Sequence, residues 1–475
     1  MTTPPAETAA LIAELARRFP DSLFAGESQR AQHGRDESRH PAAPPDAVFL
    51  PGSTEEAAEA MRLCARFGVP VIPFGTGSGQ EGGVLAVRGG ISFGTQRLDR
   101  ILELNAADMD AHVEAGVTRL QLDRALRDTG LFLPVDPGAD ASIGGMAATG
   151  AAGTTTPRYG TMHQAVIGLE AVMADGSVIR TGGRARKSSS GYDLTRLLVG
   201  SEGTLGLITR VRLRLHPRPE AVLVLRACFA TPAAAVEAVA LLTAAGLPLA
   251  RAELLDAVIL RGLRAQGAVD LPESPVVFFE FHGSAVSVAA FAELAADLCR
   301  EAGASHLVTA HRPDEIARIW KMRHGVAEVE KRMLPGAEIH VTDVCVPVSA
   351  LPDLVARAGA ELDRLGLLAP LSGHVADGNL HYVLLVPPGQ AEATARAERF
   401  TRWLGEAALD LGGTLSGEHG IGMGKRKLMG REHGAALDTM RRIKHALDPG
   451  GIMNPGKVLP DPAPDRPDRG RAAPA

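Results

Sequence analysis

The 53 glycines of this chain gather in a few short stretches, and that clustering limits what it can fold into more than any other feature. Gly75-Thr76-Gly77-Ser78-Gly79-Gln80-Glu81-Gly82-Gly83 follows an apolar run, Val69 to Phe74, that reads as a buried strand. So many glycines at a strand end remove side chains where backbone has to approach a ligand. Gly77 to Gly82 fits the dinucleotide pattern G-x-G-x-x-G, and Asp99 stands about 20 residues on, where a ribose-binding acid belongs. That fingerprint delivers phosphate to a helix N-terminus, however, and Gly83-Val84-Leu85-Ala86-Val87-Arg88-Gly89-Gly90 has no helical pattern. The expectation is a nest of backbone amides for a pyrophosphate, with no helix behind it. A second stretch, Asp136-Pro137-Gly138 and then Ser142-Ile143-Gly144-Gly145-Met146-Ala147-Ala148-Thr149-Gly150-Ala151-Ala152-Gly153, is built almost wholly of small residues between strand patterns. A third, Gly200-Ser201-Glu202-Gly203-Thr204-Leu205-Gly206-Leu207-Ile208-Thr209, leads into a strand. Three such segments in one sheet-rich region predict an extended, phosphate-bearing cofactor.

With 475 residues the chain has room for about two or three domains. Ala6 to Arg18 has helical periodicity, Pro41, Pro44 and Pro45 mark an extended lead-in, and Ser53-Thr54-Glu55-Glu56 predicts a capping box ahead of a helix that Gly68 ends. His112 to Val117, Val166 to Met173 and Leu205 to Leu215 read as strands. Pro217-Arg218-Pro219 marks a boundary, after which Ala-rich helices alternate with strands. The predicted strands there are Arg251 to Leu255, Val276 to His282, His306 to Ala310, Glu338 to Pro347 and a pair within Leu368 to Val386. The predicted helices are Ala233 to Ala245, Val286 to Glu301, Asp314 to Met333, Leu351 to Leu365 and Ala391 to Leu411, with a last one over Ala435 to Leu447. That mixture gives an α+β chain whose second half is an antiparallel sheet covered by helices. The tail from 460 to 475 is Pro, Asp, Arg and Ala and is expected to be disordered.

Fifty Lys and Arg against 55 Asp and Glu give a net charge of -5, without the basic excess that phosphate-backbone binding needs, so nucleic acid is not an expected partner. No apolar run reaches the length of a bilayer span and no leader pattern opens the chain, which predicts a cytoplasmic protein, at most peripheral to the inner membrane. Cys64, Cys228, Cys299 and Cys345 are too dispersed for a metal knuckle or an iron–sulfur cluster, so electrons would have to leave through a partner or a diffusible acceptor.

Two motifs carry metal-type chemistry. His374-Val375-Ala376-Asp377-Gly378-Asn379-Leu380-His381 places two imidazoles around an Asp-Gly-Asn turn. On a straight strand they would face opposite ways, whereas a bend brings them to one site. Spacing alone leaves open a divalent-metal set or two structural histidines beside a hairpin. Ser416-Gly417-Glu418-His419-Gly420-Ile421-Gly422 offers a third ligand, Glu418, and a general base, His419, in a glycine frame. In Trp320-Lys321-Met322-Arg323 the pattern reads as a helix with Trp320 inward and its basic residues toward water. Arg323 stays a candidate because a planar fork suits a substrate carboxylate.

These segments, together with His33-Gly34-Arg35-Asp36-Glu37-Ser38, Gly191-Tyr192-Asp193-Leu194-Thr195-Arg196-Leu197, Thr342-Asp343-Val344-Cys345-Val346-Pro347 and Met453-Asn454-Pro455-Gly456-Lys457-Val458, resemble the vanillyl-alcohol-oxidase-type (PCMH-type FAD) flavoprotein family. Within it they resemble the branch of cytochrome-type D-lactate dehydrogenases and FAD-linked glycolate oxidase subunits. The resemblance implies a lead-in over 1–40, an FAD-binding domain of two α+β subdomains over 41–217, a substrate domain over 218–415, and a segment over 416–459 that returns to the flavin. It assigns FAD contacts to Pro73, Gly75, Thr76, Gly77, Ser78, Gly79, Gln80, Pro137, Gly138, Ser142, Gly144, Gly145, Thr149, Gly150, Gly153, Glu202, Gly203, Gly206, Ile208 and Asn454. It assigns a Zn2+ or Mn2+ ion to His374, His381 and Glu418, base catalysis to His419, and carboxylate binding to Arg323.

Relatives that attach flavin covalently through the first glycine loop use a histidine there. This chain has Gln80-Glu81-Gly82-Gly83, which implies noncovalent FAD. Relatives acting on D-2-hydroxyglutarate have a lysine where this chain has Val341, so a second substrate carboxylate is not expected. Ile91-Ser92-Phe93-Gly94-Thr95-Gln96-Arg97 is more polar than the strand that relatives have at that place. The implied reaction is oxidation of a D-2-hydroxy acid, foremost D-lactate, with hydride passing to flavin and electrons to a quinone, a cytochrome or an electron-transfer flavoprotein. The alternatives are a subunit of a glycolate oxidase complex, a D-2-hydroxyglutarate-type enzyme or, from another class, a metal-dependent hydrolase of a nucleotide-type substrate. A homodimer is left open.

Overall fold

The structure is a computed structural model that describes residues 5–265, 267 and 271–461. The tail expected to be disordered lies outside the described residues from 462 on.

The helix Ala6–Arg18 buries Leu11 and Leu15 against the helix Thr54–Phe67. Ser53 Oγ accepts the Glu56 N–H at 3.2 Å, and Gly68, at φ 64°, ends the latter helix. The expected capping box forms only by half. Glu56 Oε2 accepts the N–H of Gly52 at 2.7 Å, one residue before the cap, and not that of Ser53. Under this helix lies a four-stranded sheet ordered Leu23–Phe24, Ala47–Phe49, Ile91–Gly94, Val71–Phe74, in which the last three strands run parallel. The polar character of Ile91–Gly94 has a physical cause. Ser92 is buried, and its hydroxyl meets His33 Nδ1 at 2.8 Å while the His33 ring stacks on Phe74. The HGRDES segment is therefore anchored in this sheet, and the serine is satisfied rather than stranded.

An antiparallel five-stranded sheet follows, ordered Ile101–Asn105, Asp110–Glu114, Leu207–Arg214, Val166–Val172, Val178–Gly182. The small-residue segment packs on it as a short helix, Ile143–Thr149, capped by Ser142. Residues with small side chains are needed there because a Cβ on Gly144 would strike Ala115.

From Ala221 to Val386 the chain builds an antiparallel sheet of eight strands. Its order is Ser305–Ala310, Ala221–Cys228, Val276–Gly283, Leu249–Leu255, Leu371–His374, Asn379–Val386, Glu338–Val341, with Val344–Cys345 also paired to Asn379–Val386. Pro232–Ala244, Ala285–Glu301, Leu351–Leu365 and Ala391–Asp410 bury one face of it in the largest core of the molecule. Several details depart from the sequence expectation. The strand Ala221–Cys228 and the helix Ala257–Ala265 had no counterpart in it. The single helix expected over 314–333 is two, Pro313–His324 and Val326–Met333, broken at Gly325. The single strand expected over 338–347 is interrupted at Thr342-Asp343, a break that frees the Asp343 carboxylate for a task described below. All four cysteines are free, and three are fully buried. Among the described residues no helix is long and apolar enough to cross a membrane.

Candidate active site

The first cavity is walled by backbone. Pro73, Gly75, Thr76, Gly77, Ser78, Gly79 and Gln80 line it from the first glycine segment, Pro137, Gly144, Gly145 and Thr149 from the second, and Glu202, Gly203, Gly206 and Ile208 from the third. It holds about 1260 Å3 free of protein atoms, part of it open to solvent. A Cβ on Gly79 or Gly83 would meet nothing closer than 3.7 or 4.0 Å, so a side chain there would occupy the cavity itself. Beyond the residues expected from sequence, Phe74, Val84, Thr95, Met146 and Leu207 face it, and so do Glu418 and His419 from the far end of the chain. Among the described residues that line it, His419 is the one histidine and none is cysteine or tyrosine.

Five expected cofactor residues are not among those that line it. Ser142 accepts the Gly145 N–H at 3.3 Å, while Gly150, at φ 65°, ends that helix against His163. Gly138 turns the chain at φ 80°, and Gly153 packs on the backbone of Asp136. Asn454 ties the first and third glycine segments together, donating from Nδ2 to the carbonyls of Gly83 and Glu202, each at 2.9 Å.

Next to Glu418 and His419 lies a cluster built on the eight-stranded sheet. The hairpin turn of residues 375–378 joins Leu371–His374 to Asn379–Val386 and brings the two imidazoles to a ring separation of 5.3 Å. Glu418 Oε1 reaches both, 3.4 Å from His374 Nε2 and 3.2 Å from His381 Nε2. The opposite nitrogens are spoken for. His374 Nδ1 meets Glu253 Oε1 at 2.6 Å, and His381 Nδ1 meets the Thr342 carbonyl at 3.2 Å. Acceptors on both Nδ1 atoms leave the two Nε2 atoms directed at a common spot beside the Glu418 carboxylate, where each would offer a lone pair once its proton is displaced. The three ligand atoms lie within 4.8 Å of one another. Burial would push the His374 pKa down, but Glu253 and Glu418 on either side hold it well above its ordinary value. The donor set of two imidazoles and one carboxylate fits a divalent cation.

Glu253 was invisible in the sequence. It sits fully buried in Leu249–Leu255, directly across the strand pair from His374, and its second oxygen accepts Arg323 Nε at 2.8 Å. Burial disfavours the charged carboxylate, yet His374 and Arg323 outweigh it and keep the pKa below the usual range. Arg323 thus does not face water, as its helix pattern implied. Trp320 on the same helix points inward as expected, and its Nε1 donates to buried Glu280 at 2.6 Å.

Asp343 is the second residue that sequence reasoning missed. Its buried carboxylate accepts the backbone N–H of Gly417, Glu418 and His419 at 3.0–3.1 Å, together with Ser416 Oγ at 2.6 Å, Asn379 Nδ2 at 2.7 Å and Lys425 Nζ at 3.1 Å. Burial opposes its charge, but Lys425 and these donors keep its pKa well below the carboxylate range. The loop that carries Glu418 and His419 is wrapped around this one anion. His419 lies with its ring 5.1 Å from His381 at 18°, its Nε2 is 3.7 Å from Glu418 Oε1, and its buried Nδ1 has no protein partner. Burial, the largest influence, lowers its pKa to about 4, so the ring is neutral near pH 7.

Residues 45–182 match the family described as FAD binding domain, and residues 218–458 match FAD linked oxidases, C-terminal domain. The chain is 43% identical to a protein named probable D-lactate dehydrogenase, mitochondrial, of Danio rerio, over 92% of this chain and 89% of that one. It is 35% identical to a D-2-hydroxyglutarate dehydrogenase of Xanthomonas citri pv. viticola, over 94% of this chain and 96% of the relative. Among solved structures, 4-ethylphenol oxidase from Gulosibacter chungangensis has the same fold at a TM-score of 0.77 and 20% identity, covering 97% of this chain and 98% of that one.

Proposed function

Given that this chain belongs to the family of FAD-linked oxidases, we propose that it oxidises a D-2-hydroxy acid, foremost D-lactate, to the 2-oxo acid and passes the electrons to an acceptor other than NAD. The observation that carries this reading is the meeting of two sites at Glu418 and His419, which line the glycine-walled cavity and also complete the two-histidine cluster. Membership of this family leaves no place for a nucleotide hydrolase.

FAD, when bound, would accept two electrons, and a divalent cation, which His374, His381 and Glu418 would hold, would supply charge that acidifies a substrate hydroxyl. The chain's own residues do the rest. His419 Nδ1, buried and unpartnered, takes the hydroxyl proton. Arg323 receives the substrate carboxylate, held in place by Glu253, which in the same stroke orients His374. Asp343 keeps Glu418 and His419 in register through their backbone N–H groups. Among the described residues the one histidine lining the cavity is the proposed base, and neither cysteine nor tyrosine lines it, which supports a flavin held noncovalently. Val341 in place of a lysine favours a monocarboxylate. The electrons go on to a quinone, a cytochrome or an electron-transfer flavoprotein.

The test is steady-state turnover with an artificial dye as acceptor, comparing D-lactate, L-lactate, glycolate and D-2-hydroxyglutarate. The expected result is the highest kcat/KM with D-lactate and none with its enantiomer. Preference for D-2-hydroxyglutarate would contradict the reading of Val341, and turnover of none of the four would contradict the substrate class.

A further inference from the structure

The loop 416–422 is held by two carboxylates, and the second one belongs to the other half of the molecule. Asp343 gathers its first half, as described. Its second half is held by Glu202, whose Oε1 accepts the N–H of Ile421 and whose Oε2 accepts that of Gly422, both at 2.8 Å. A Cβ on Gly420 would come within 2.9 Å of Glu202 Oε1, so the glycine frame leaves nothing between the loop and this carboxylate. Glu202 itself stands on the cavity wall, at φ 51°, a left-handed conformation that a glutamate keeps only when its surroundings impose it. They do. Its N–H donates to the carbonyl of Ala148 at 2.7 Å, and its carbonyl accepts Asn454 Nδ2. Ala148 lines the glycine-walled cavity, and Asn454 ties Glu202 to the Gly83 carbonyl, which lines it too.

From this geometry we infer that Glu202 is a positioning residue that ties the loop bearing Glu418 and His419 to the flavin cavity, so that FAD binding and cation binding reinforce one another. The inference rests on the cation site of the preceding section. A ligand that fills the cavity orders its walls, the walls fix the Glu202 backbone, and its carboxylate then fixes the amides of Ile421 and Gly422, three and four residues from Glu418. By linkage the effect is reciprocal, since whatever FAD does to cation affinity the cation does to FAD affinity. Coupling of this kind ordinarily amounts to about 5- to 150-fold in affinity.

Two measurements on the full chain test it. Hydrogen exchange at Ile421 and Gly422 is compared without and with saturating FAD, and Zn2+ and Mn2+ are titrated calorimetrically into the same two states, for the wild type and for Glu202→Gln. An amide offers one acceptor oxygen where the loop needs two. The expected result is that FAD slows exchange at both amides and tightens the cation by about 5- to 150-fold in the wild type. In the variant, compared at an FAD concentration that saturates it, both effects shrink. A wild type whose two amides exchange equally with and without FAD overturns the inference without any variant, and so does a Glu202→Gln protein that keeps the full effect. Amides that respond to FAD in a protein that binds neither cation would support the tie between Glu202 and the loop while refuting the cation site.

Discussion

Replacing Glu253 by glutamine is the most informative single change. The carboxylate is fully buried and serves two clients at once, His374 Nδ1 at 2.6 Å and Arg323 Nε at 2.8 Å. A glutamine of nearly equal size has one acceptor oxygen and one NH2, so either orientation sets a donor against a donor. If the amide oxygen faces Arg323, His374 loses the acceptor that fixes its tautomer, and loss of such an outer partner weakens metal binding by about 10- to 100-fold. If it faces His374, Arg323 loses a hydrogen bond to a charged group, worth about 1.5–3 kcal/mol, or about 10- to 150-fold in kcat/KM. The assay is kcat/KM for D-lactate with a dye acceptor, beside calorimetric cation affinity, in Glu253→Gln, Arg323→Ala and the double variant. At least one quantity should fall by tenfold or more, as those two estimates require. The double variant should lose less than the sum of the single losses, because both changes break one shared network. Wild-type cation affinity together with wild-type kcat/KM in Glu253→Gln would refute the reasoning, and full additivity would separate Glu253 from Arg323.

His419→Ala should keep FAD, visible as an unchanged yellow spectrum, and lose about 10²- to 10⁴-fold in kcat; near-normal turnover removes it from the base role. Arg323→Ala should raise KM and lower kcat/KM for every 2-hydroxy acid, since a carboxylate clamp acts in both ground and transition states; unchanged constants would return Arg323 to a structural part. Stability should depend on pH through Glu330. Its buried Oε1 has no partner and burial lifts its pKa from 4.5 to about 7. Such a group binds its proton in the folded chain where the unfolded chain has lost it, so the contribution of Glu330 to stability is greatest below about pH 4.5 and is lost as pH rises through about 7. Glu330→Gln should flatten that decline in urea unfolding between these limits, and an unaltered slope would show that Glu330 ionises freely.

What the sequence disclosed was whatever is local along the chain. The glycine segments announced a backbone-walled site because the removal of side chains is itself written there, and the His374 to His381 hairpin carries its own turn. What stayed hidden depends on register and on distant partners. Glu253 is one acid in an apolar strand until the strand pair sets it opposite His374. Arg323 on a helix reads as a solvated charge until that helix lies over Glu253. Asp343 was quoted within its motif, yet its part appears only when the strand breaks and the loop 416–419 folds round it. Asn454 shows the converse. It was read only as a cofactor contact, and its Nδ2 also ties together the carbonyls of Gly83 and Glu202 from two different glycine segments. Ser92 was an oddity until His33 supplied its partner.

The central claim is a flavin that takes electrons from a D-2-hydroxy acid at the meeting point of the two sites. Its most direct measurement is the visible spectrum of the purified protein, recorded anaerobically before and after D-lactate is added. The account predicts a yellow protein whose flavin absorbance bleaches on addition of D-lactate and not of L-lactate. A yellow protein that D-lactate, glycolate and D-2-hydroxyglutarate all leave unbleached, or a colourless one that takes up no added FAD, would contradict it.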